Sequence, residues 1–438
     1  MKRLIWLFAV LVSAVCAVAQ TSSNVPAAFS SEQVNAIYPE VQALYVDLHR
    51  NPELAFQEKQ TAAKLAERMR ALGFDVTTGV GGTGVVAVLK NGPGPTIMLR
   101  TDIDALPVQE KTGLPFASTV TVQSKSGETI PVMHACGHDT HMAAWVGTAK
   151  LMAQNRQRWQ GTLVMIGQPA EEIVQGAAAM LKDGLYTRFP KPDFALAMHD
   201  TGMLATGQIG FHPGYYMSAS DSVSITIFGR GGHGAKPQMA IDPIVIAART
   251  VLALQTIVSR ENDPLEMAVI TVGSIHGGTK NNIIPDEVKL ELTVRSFSPQ
   301  VRKHLLEAIA RVAKAEALAA AAPREPLVTV ELGTDALYNN PDLTKRVVAN
   351  LRQALGPQNV VEVPPNTASE DFSVYGTAGV PSVMLHFGAA NAAKLAASQQ
   401  SGVPLPQTHS ALWAPQPESL KTAIMAETAM LLDLFGSK

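Results

Sequence analysis

Between positions 134 and 141 the chain reads His134-Ala-Cys136-Gly-His138-Asp139-Thr-His141, so five side chains able to bind a metal ion fall within eight positions. Core packing does not call for that density, because a buried imidazole, thiol or carboxylate costs free energy unless something pairs with it. The stretch must therefore lie where the backbone lets these groups converge. Cys136 and His138, two apart, point the same way from an extended turn, whereas His138 and His141 at i, i+3 share a helix face. An extended segment running into a helix meets both conditions, and Asp139 to Gln154 carries a helical pattern. Asp139 is placed to accept from an imidazole and orient it.

The elements around this cluster alternate. Ser31 to Arg50 and Gln57 to Leu72 repeat apolar residues at helical spacing. Val85 to Leu89, Thr96 to Arg100, Thr162 to Gly167 and Phe194 to Met198 are short, apolar, β-branched runs, which predicts an α/β sheet. From about Tyr216 the order changes to a strand (Val223 to Phe228), a helix (Ile241 to Ser259), a strand pair (Met267 to Ile275 and Glu287 to Ser296) and a second helix (Pro299 to Ala321). That is helices on one face of an antiparallel sheet, an α+β sandwich. Pro323 and Pro326 mark its exit, and strand signal returns at Val383 to Phe387. The expected organisation is a discontinuous catalytic domain, residues 28–213 and 328–438, with a smaller domain inserted at 214–327.

Further polar groups fall just after apolar strands, where α/β sheets expose their loops to ligands. Gln168-Pro-Ala-Glu171-Glu172 follows one such strand and His199-Asp200 ends another. Adjacent carboxylates do not easily face one point, so Glu171 and Glu172 divide naturally into a proton acceptor and a metal ligand. Asp102-Ile-Asp104 puts two carboxylates on one side of an extended segment, and His409 lies in a polar loop before the C-terminal helix.

Lys2 and Arg3 precede an apolar run from Leu4 to Val18 that ends in Ala17-Val18-Ala19, the pattern of a signal peptide at 1–19, cleaved near Ala19. About 15 apolar residues fall short of the roughly 20 that span a bilayer, so no stable membrane anchor is expected and the mature protein is periplasmic or secreted. Cys16 and Cys136 are the two cysteines, and the first leaves with the leader, so no intramolecular disulfide is expected. A net charge of -2 gives no footing for nucleic acid.

Taken in order, Asp47-Leu-His49-Arg-Asn-Pro-Glu53-Leu, Leu99-Arg100-Thr-Asp102-Ile-Asp104-Ala-Leu-Pro107, Cys136-Gly-His138-Asp139, Gln168-Pro-Ala-Glu171-Glu172, Gly229-Arg-Gly-Gly-His233-Gly, Asn282-Ile-Ile-Pro285 and Glu370-Asp371-Phe372 resemble the metallopeptidase family of aminoacylases, hippurate hydrolase and the plant hydrolases of indole-acetyl amino acids. The resemblance covers nearly the whole mature chain. It implies a mixed-sheet, zinc-exopeptidase-like catalytic domain with an inserted lid or dimerisation domain, and a homodimer or higher homo-oligomer. It implies that Cys136, His138, Glu172, His199 and His409 hold two divalent metal ions, with Glu171 as general base. It further implies that His233 stabilises the oxyanion, in dimeric relatives across the subunit interface, and that Asn282 and Arg295 hold the substrate's carbonyl and carboxylate. His233 equally reads as a surface turn residue, and Arg295 as a solvated edge charge. One thiolate, three imidazoles and one carboxylate favour zinc, with manganese as the first-row alternative. His141 is not among the implied ligands.

Peptidase branches of the family carry His-x-Asp where this chain has Asp102-Ile-Asp104. That departure favours the amidohydrolase branch and places Asp102 and Asp104 behind the ligands, beside Asp139. The expected activity is hydrolysis of the amide bond of N-acyl amino acids or related small-molecule conjugates (N-acetyl, benzoyl or aryl-acyl). An exported metallo-dipeptidase or carboxypeptidase is the nearest alternative. A thiol amidase built on Cys136 leaves Glu171, Glu172, His199 and His409 without a task, and a noncatalytic metal-binding protein has no need of Glu171.

Overall fold

The computed structural model describes residues 28–124 and 126–436, so the leader expected at residues 1–19 lies outside the described residues. Its main sheet has eight strands in the order Asp75–Val80, Gly84–Asn91, Gly161–Gln168, Thr96–Asp102, Phe194–Ala205, Ser382–Ala390, Ile209–Phe211 and Val360–Glu362. Thr96–Asp102 pairs in parallel with Gly161–Gln168 and Phe194–Ala205, and Phe194–Ala205 with Ser382–Ala390, while the Asp75–Val80 edge is antiparallel. The central strands are covered on both faces, which is why they read as continuous apolar runs rather than alternating ones.

On one face lie the helices Ser31–Arg50, His138–Gln154 and Ser419–Phe435, sharing one core with the sheet. The Ser31–Arg50 helix starts at a capping box, with Ser30 Oγ accepting from Gln33 N and the Gln33 side chain accepting from Ser30 N. His138–Gln154 is buried on nearly all sides between the sheet and its two neighbours, and the Trp145 indole donates to Leu99 O at 3.1 Å. Across from it, the Glu427 carboxylate accepts from the Thr148 hydroxyl at 2.6 Å, and burial pushes its pKa up to about 8. A largely neutral acid is what an interhelical core tolerates near neutral pH.

A second sheet, Ala268–His276, Glu287–Ser296, Ala219–Phe228 and Leu327–Leu332, is antiparallel throughout. Pro243–Thr256 and Pro299–Ala319 cover one face and bury a separate apolar cluster that includes Ile225, Leu254, Leu290, Val294 and Ile309. Its strands run from Ala219 to Leu332, against an expected span of 214–327. Pro326 reads as an exit, but the strand after it is an edge strand, where a proline at the start removes no ladder bond. Gly214–Met217 pairs instead with Leu337–Asn339, so the chain's two passages between the sheets lie side by side. Arg302 clamps them, donating to Asp221 Oδ2 at 2.7 Å and Asp335 Oδ1 at 2.5 Å.

Candidate metal centre

The carboxyl ends of the parallel strands gather the residues singled out by sequence. Asp102 and Gln168 end their strands, His199 lies on Phe194–Ala205, and the helix that starts at His138 enters from Gly137. Gly137 has φ 80°, and a Cβ there would lie 2.1 Å from Asp200 Oδ2, so both the backbone and the available space demand glycine.

Cys136 Sγ lies 3.4 Å from His199 Nε2. His138 Nε2 is 3.7 Å from both Asp102 Oδ2 and Glu172 Oε1 and 4.0 Å from Glu171 Oε2, and His409 Nε2 is 3.3 Å from Glu172 Oε2. Cys136, His138 and Glu172 also offer ligand atoms within 4.8 Å of one another, so the five proposed ligands form one connected cluster, with His409 on its exposed side at φ 68°. His138 Nδ1 meets Asp104 O and His199 Nδ1 meets Asp200 O, each at 2.8 Å. A carbonyl only accepts, so both rings carry their proton on Nδ1 and turn Nε2 toward the cluster, the tautomer a metal ligand needs. His141 also lies here, but its Nδ1 bonds Asp102 Oδ1 at 2.7 Å and its Nε2 accepts from Asp200 N at 2.9 Å. Both its nitrogens are engaged by protein groups, although with Asp102, His138 and His199 it also forms a set able to hold a metal ion.

Among the described residues, His138 Nε2, Glu172 Oε1 and Asp104 Oδ1 are buried without a hydrogen-bond partner. Burial, reinforced by Glu172, pushes the Cys136 thiol well above its usual range, and burial lifts Glu172 to about 7. Burial disfavours a charge on His138, yet Asp102 and Asp104 outweigh it and raise its pKa well above the ordinary imidazole range, so a cation at Nε2 takes the place of a proton. Orphaned donor atoms, a thiol and several acids all relieved by one change, positive charge placed among them, fit a divalent cation site.

The turn carrying Glu171 and Glu172 separates their tasks. Glu172 N donates to Asp104 Oδ2 at 3.0 Å while its carboxylate sits between His138 and His409. Glu171 reaches within 4.0 Å of His138 Nε2 but groups with Glu370 and Asp371, and burial together with Glu370 raises its pKa well above the ordinary carboxylate range. Two supports of this turn carry no role in the sequence reading. The first is Glu58, fully buried, whose Oε1 accepts from Ala170 N at 2.9 Å just where Ala170 adopts φ 51°. The second is Arg100, which donates to Gln168 Oε1 at 3.0 Å, Asp102 Oδ2 at 2.6 Å and Glu370 Oε1 at 2.7 Å. Arg100, Gln168 and Glu370 stand inside the quoted motifs, which was the available signal; Glu58 stands in an ordinary polar helix start.

Asp139 binds an imidazole, but that of His49 at 2.6 Å, whose other nitrogen meets Glu110 at 3.1 Å. Burial opposes charge on His49, and the hydrogen bonds to Asp139 and Glu110 overcome it, pushing its pKa up to about 10. Asp139 therefore braces the start of the His138 helix and orients no ligand. His233 and Asn282 lie together at an exposed two-stranded pairing of Gly232–His233 with Ile283–Ile284, separate from the four-stranded sheet: Gly234 N donates to Asn282 O at 2.8 Å and His233 Nδ1 accepts from Ala235 N at 3.0 Å. Neither bonds the cluster of its own chain among the described residues. Arg295 crosses from the smaller sheet, its Nη1 donating to Ser369 Oγ at 3.1 Å beside Glu370.

Comparison with known proteins gives a consistent picture. Residues 98–409 match the model of peptidase family M20/M25/M40. The chain is 38% identical over 329 residues to N-acetyl-L-cysteine deacetylase of Bacillus subtilis, covering 75% of each protein. It is 36% identical over 338 residues to hippurate hydrolase of Campylobacter jejuni, covering 77% of this chain and 85% of that one. Among solved structures, the YXEP protein of Bacillus subtilis, a dinuclear metal-binding peptidase of the M20 family, superposes with a TM-score of 0.76 at 29% identity, over 92% of this chain and all (100%) of that one.

Proposed function

The chain belongs to peptidase family M20/M25/M40, and on that premise we propose that it hydrolyses the amide bond of N-acyl amino acids or related amide conjugates at a centre of two divalent metal ions. The observation that carries this reading is the convergence of Cys136, His138, Glu172, His199 and His409 beside a separate carboxylate, Glu171. When bound, the two ions, zinc or manganese by this donor set, polarise the scissile carbonyl and acidify the attacking water. Glu171 takes the water's proton and passes it to the leaving nitrogen. Burial beside Glu370 raises its proton affinity, which suits a group that must take a proton from the water. Arg100 and Glu58 fix the turn from which Glu171 works. Arg295 offers a bidentate partner for the substrate's carboxylate.

Two of the relatives above are named N-acetyl-L-cysteine deacetylase and hippurate hydrolase, and these names support N-acyl substrates over dipeptides. A panel of N-acetyl, benzoyl and indole-acetyl amino acids with dipeptides, scored by release of free amino acid, tests the reading. The expected result is kcat/KM at least about tenfold higher on the best N-acyl substrate than on any dipeptide. A dipeptide at the top of the panel would instead make the chain a dipeptidase.

His233 and Asn282 complete the site from a second subunit. In support, Pro243–Thr256, which packs on the four-stranded sheet, turns exposed Ile244, Val245 and Leu252 outward, and an apolar stripe of this kind suits a twofold contact. The leader is removed after Ala19 on export. One measurement checks both statements: the native mass of protein recovered from the exported fraction of an expressing cell should be that of a dimer beginning at Gln20. A monomer, or a chain retaining Met1, would contradict the corresponding statement.

A further inference from the structure

The strand Ser382–Ala390 is buried along its whole length except at one residue, His386, which is partly exposed. The sequence around it, Ser-Val-Met-Leu-His386-Phe-Gly, reads as an ordinary core strand, and an imidazole is out of place there. In the parallel ladder His386 stands opposite His199, so both side chains emerge on the same face, with ring centroids 5.8 Å apart. The partly exposed ring of His386 therefore lies beside a proposed metal ligand.

Its other edge is held. Tyr216, 1% exposed, hydrogen-bonds through its hydroxyl to His386 Nδ1. Burial pushes the phenol pKa well up, so it keeps its proton, and among the described residues the imidazole is its only hydrogen-bond partner. The buried phenol donates, Nδ1 accepts, and the proton of the neutral ring is left on Nε2, which has no partner among the described residues. The strand that carries Tyr216 also holds the loop before Glu370, through Asn366 N to Tyr216 O at 3.0 Å and Ser218 N to Ala368 O at 2.8 Å. Arg295 docks on that loop at Ser369.

We infer that His386 is a specificity-determining residue, its Nε2–H donating to the carboxylate of the amino-acid half of the substrate on the wall that also presents Arg295. Tyr216 is the positioning residue that selects this tautomer. This rests on the amidohydrolase reading and adds the preference it builds in, for conjugates with a free carboxylate over those in which that group is capped as an amide.

The test is kcat and KM for the wild type, His386→Phe, His386→Gln and Tyr216→Phe on an N-acetyl amino acid and on its carboxamide. His386→Phe should raise KM for the free acid about tenfold, the scale of one hydrogen bond to a charged group. It should leave kcat within about threefold and change KM for the carboxamide less than about twofold. His386→Gln, which restores an N–H donor, should recover most of the loss. If His386→Phe does not fold, Tyr216→Phe carries the same comparison, with a KM rise confined to the free acid. Equal effects on both substrates, or no effect, would overturn the assignment while leaving an active wild type as an amidohydrolase. A wild type that turns over neither substrate would overturn both.

Discussion

Glu171→Gln is expected to lose turnover by about a thousandfold or more while keeping its full metal content. The size follows from the work assigned to the side chain, since a positioned general base contributes about a hundred- to ten-thousandfold. The amide matches the carboxylate in shape but cannot accept and return a proton. Metal content should hold because the ligand cluster closes without Glu171: its carboxylate is 4.0 Å from His138 Nε2 and is grouped with Glu370 and Asp371, whereas Glu172 makes the contacts to both His138 and His409. The substitution also removes one of several crowded buried acids, so the fold should not suffer. The checks are kcat on the best N-acyl substrate and metal content per chain by elemental analysis. A variant with a near-normal rate would take Glu171 out of the mechanism, and one that has lost its metal would make it a ligand. If His233 acts across the interface, Glu171→Gln mixed with His233→Ala should recover part of the activity after subunit exchange.

Cys136, His138, Glu171 and Glu172 drew notice because they stand in short, chemically dense runs for which core packing has no use, whereas His199 and His409 stand alone and were assigned as ligands only through the family resemblance. The strands were legible for the opposite reason: Thr162 to Gly167 and Phe194 to Met198 are apolar on both faces, as strands covered from both sides must be. What stayed hidden depends on distance along the chain or on local disguise. Arg100 finds Glu370 270 residues away, and Glu58 meets Ala170 112 residues away, contacts that no local pattern encodes. Asp139 stands next to a ligand in sequence, yet the fold gives it to His49, brought from 90 residues upstream. Pro326 concealed the edge strand Leu327–Leu332 by looking like an end. His386 was lost inside an apolar run, since a strand pattern says which face a residue takes but not that His199 stands beside it on that face.

Removing the metals should abolish activity and should do so reversibly. Cys136, Glu172 and Glu171 are each pushed toward their protonated forms by burial, so the stripped protein has nothing with which to activate water. His138 and His199 are held by Asp104 O and Asp200 O through the nitrogen that does not face the cluster, so the cage should survive and refill. Activity should fall by more than about a hundredfold on exhaustive chelation, the scale of losing the activated nucleophile, and return with zinc or manganese.

The most direct measurement is release of free amino acid from an N-acetyl amino acid by wild-type protein, metal-stripped protein and stripped protein titrated with zinc or manganese. Activity that appears in proportion to metal bound and saturates at two ions per chain is the predicted result. Full hydrolysis by protein shown to contain no metal would contradict the account and turn attention to Cys136 as a nucleophile.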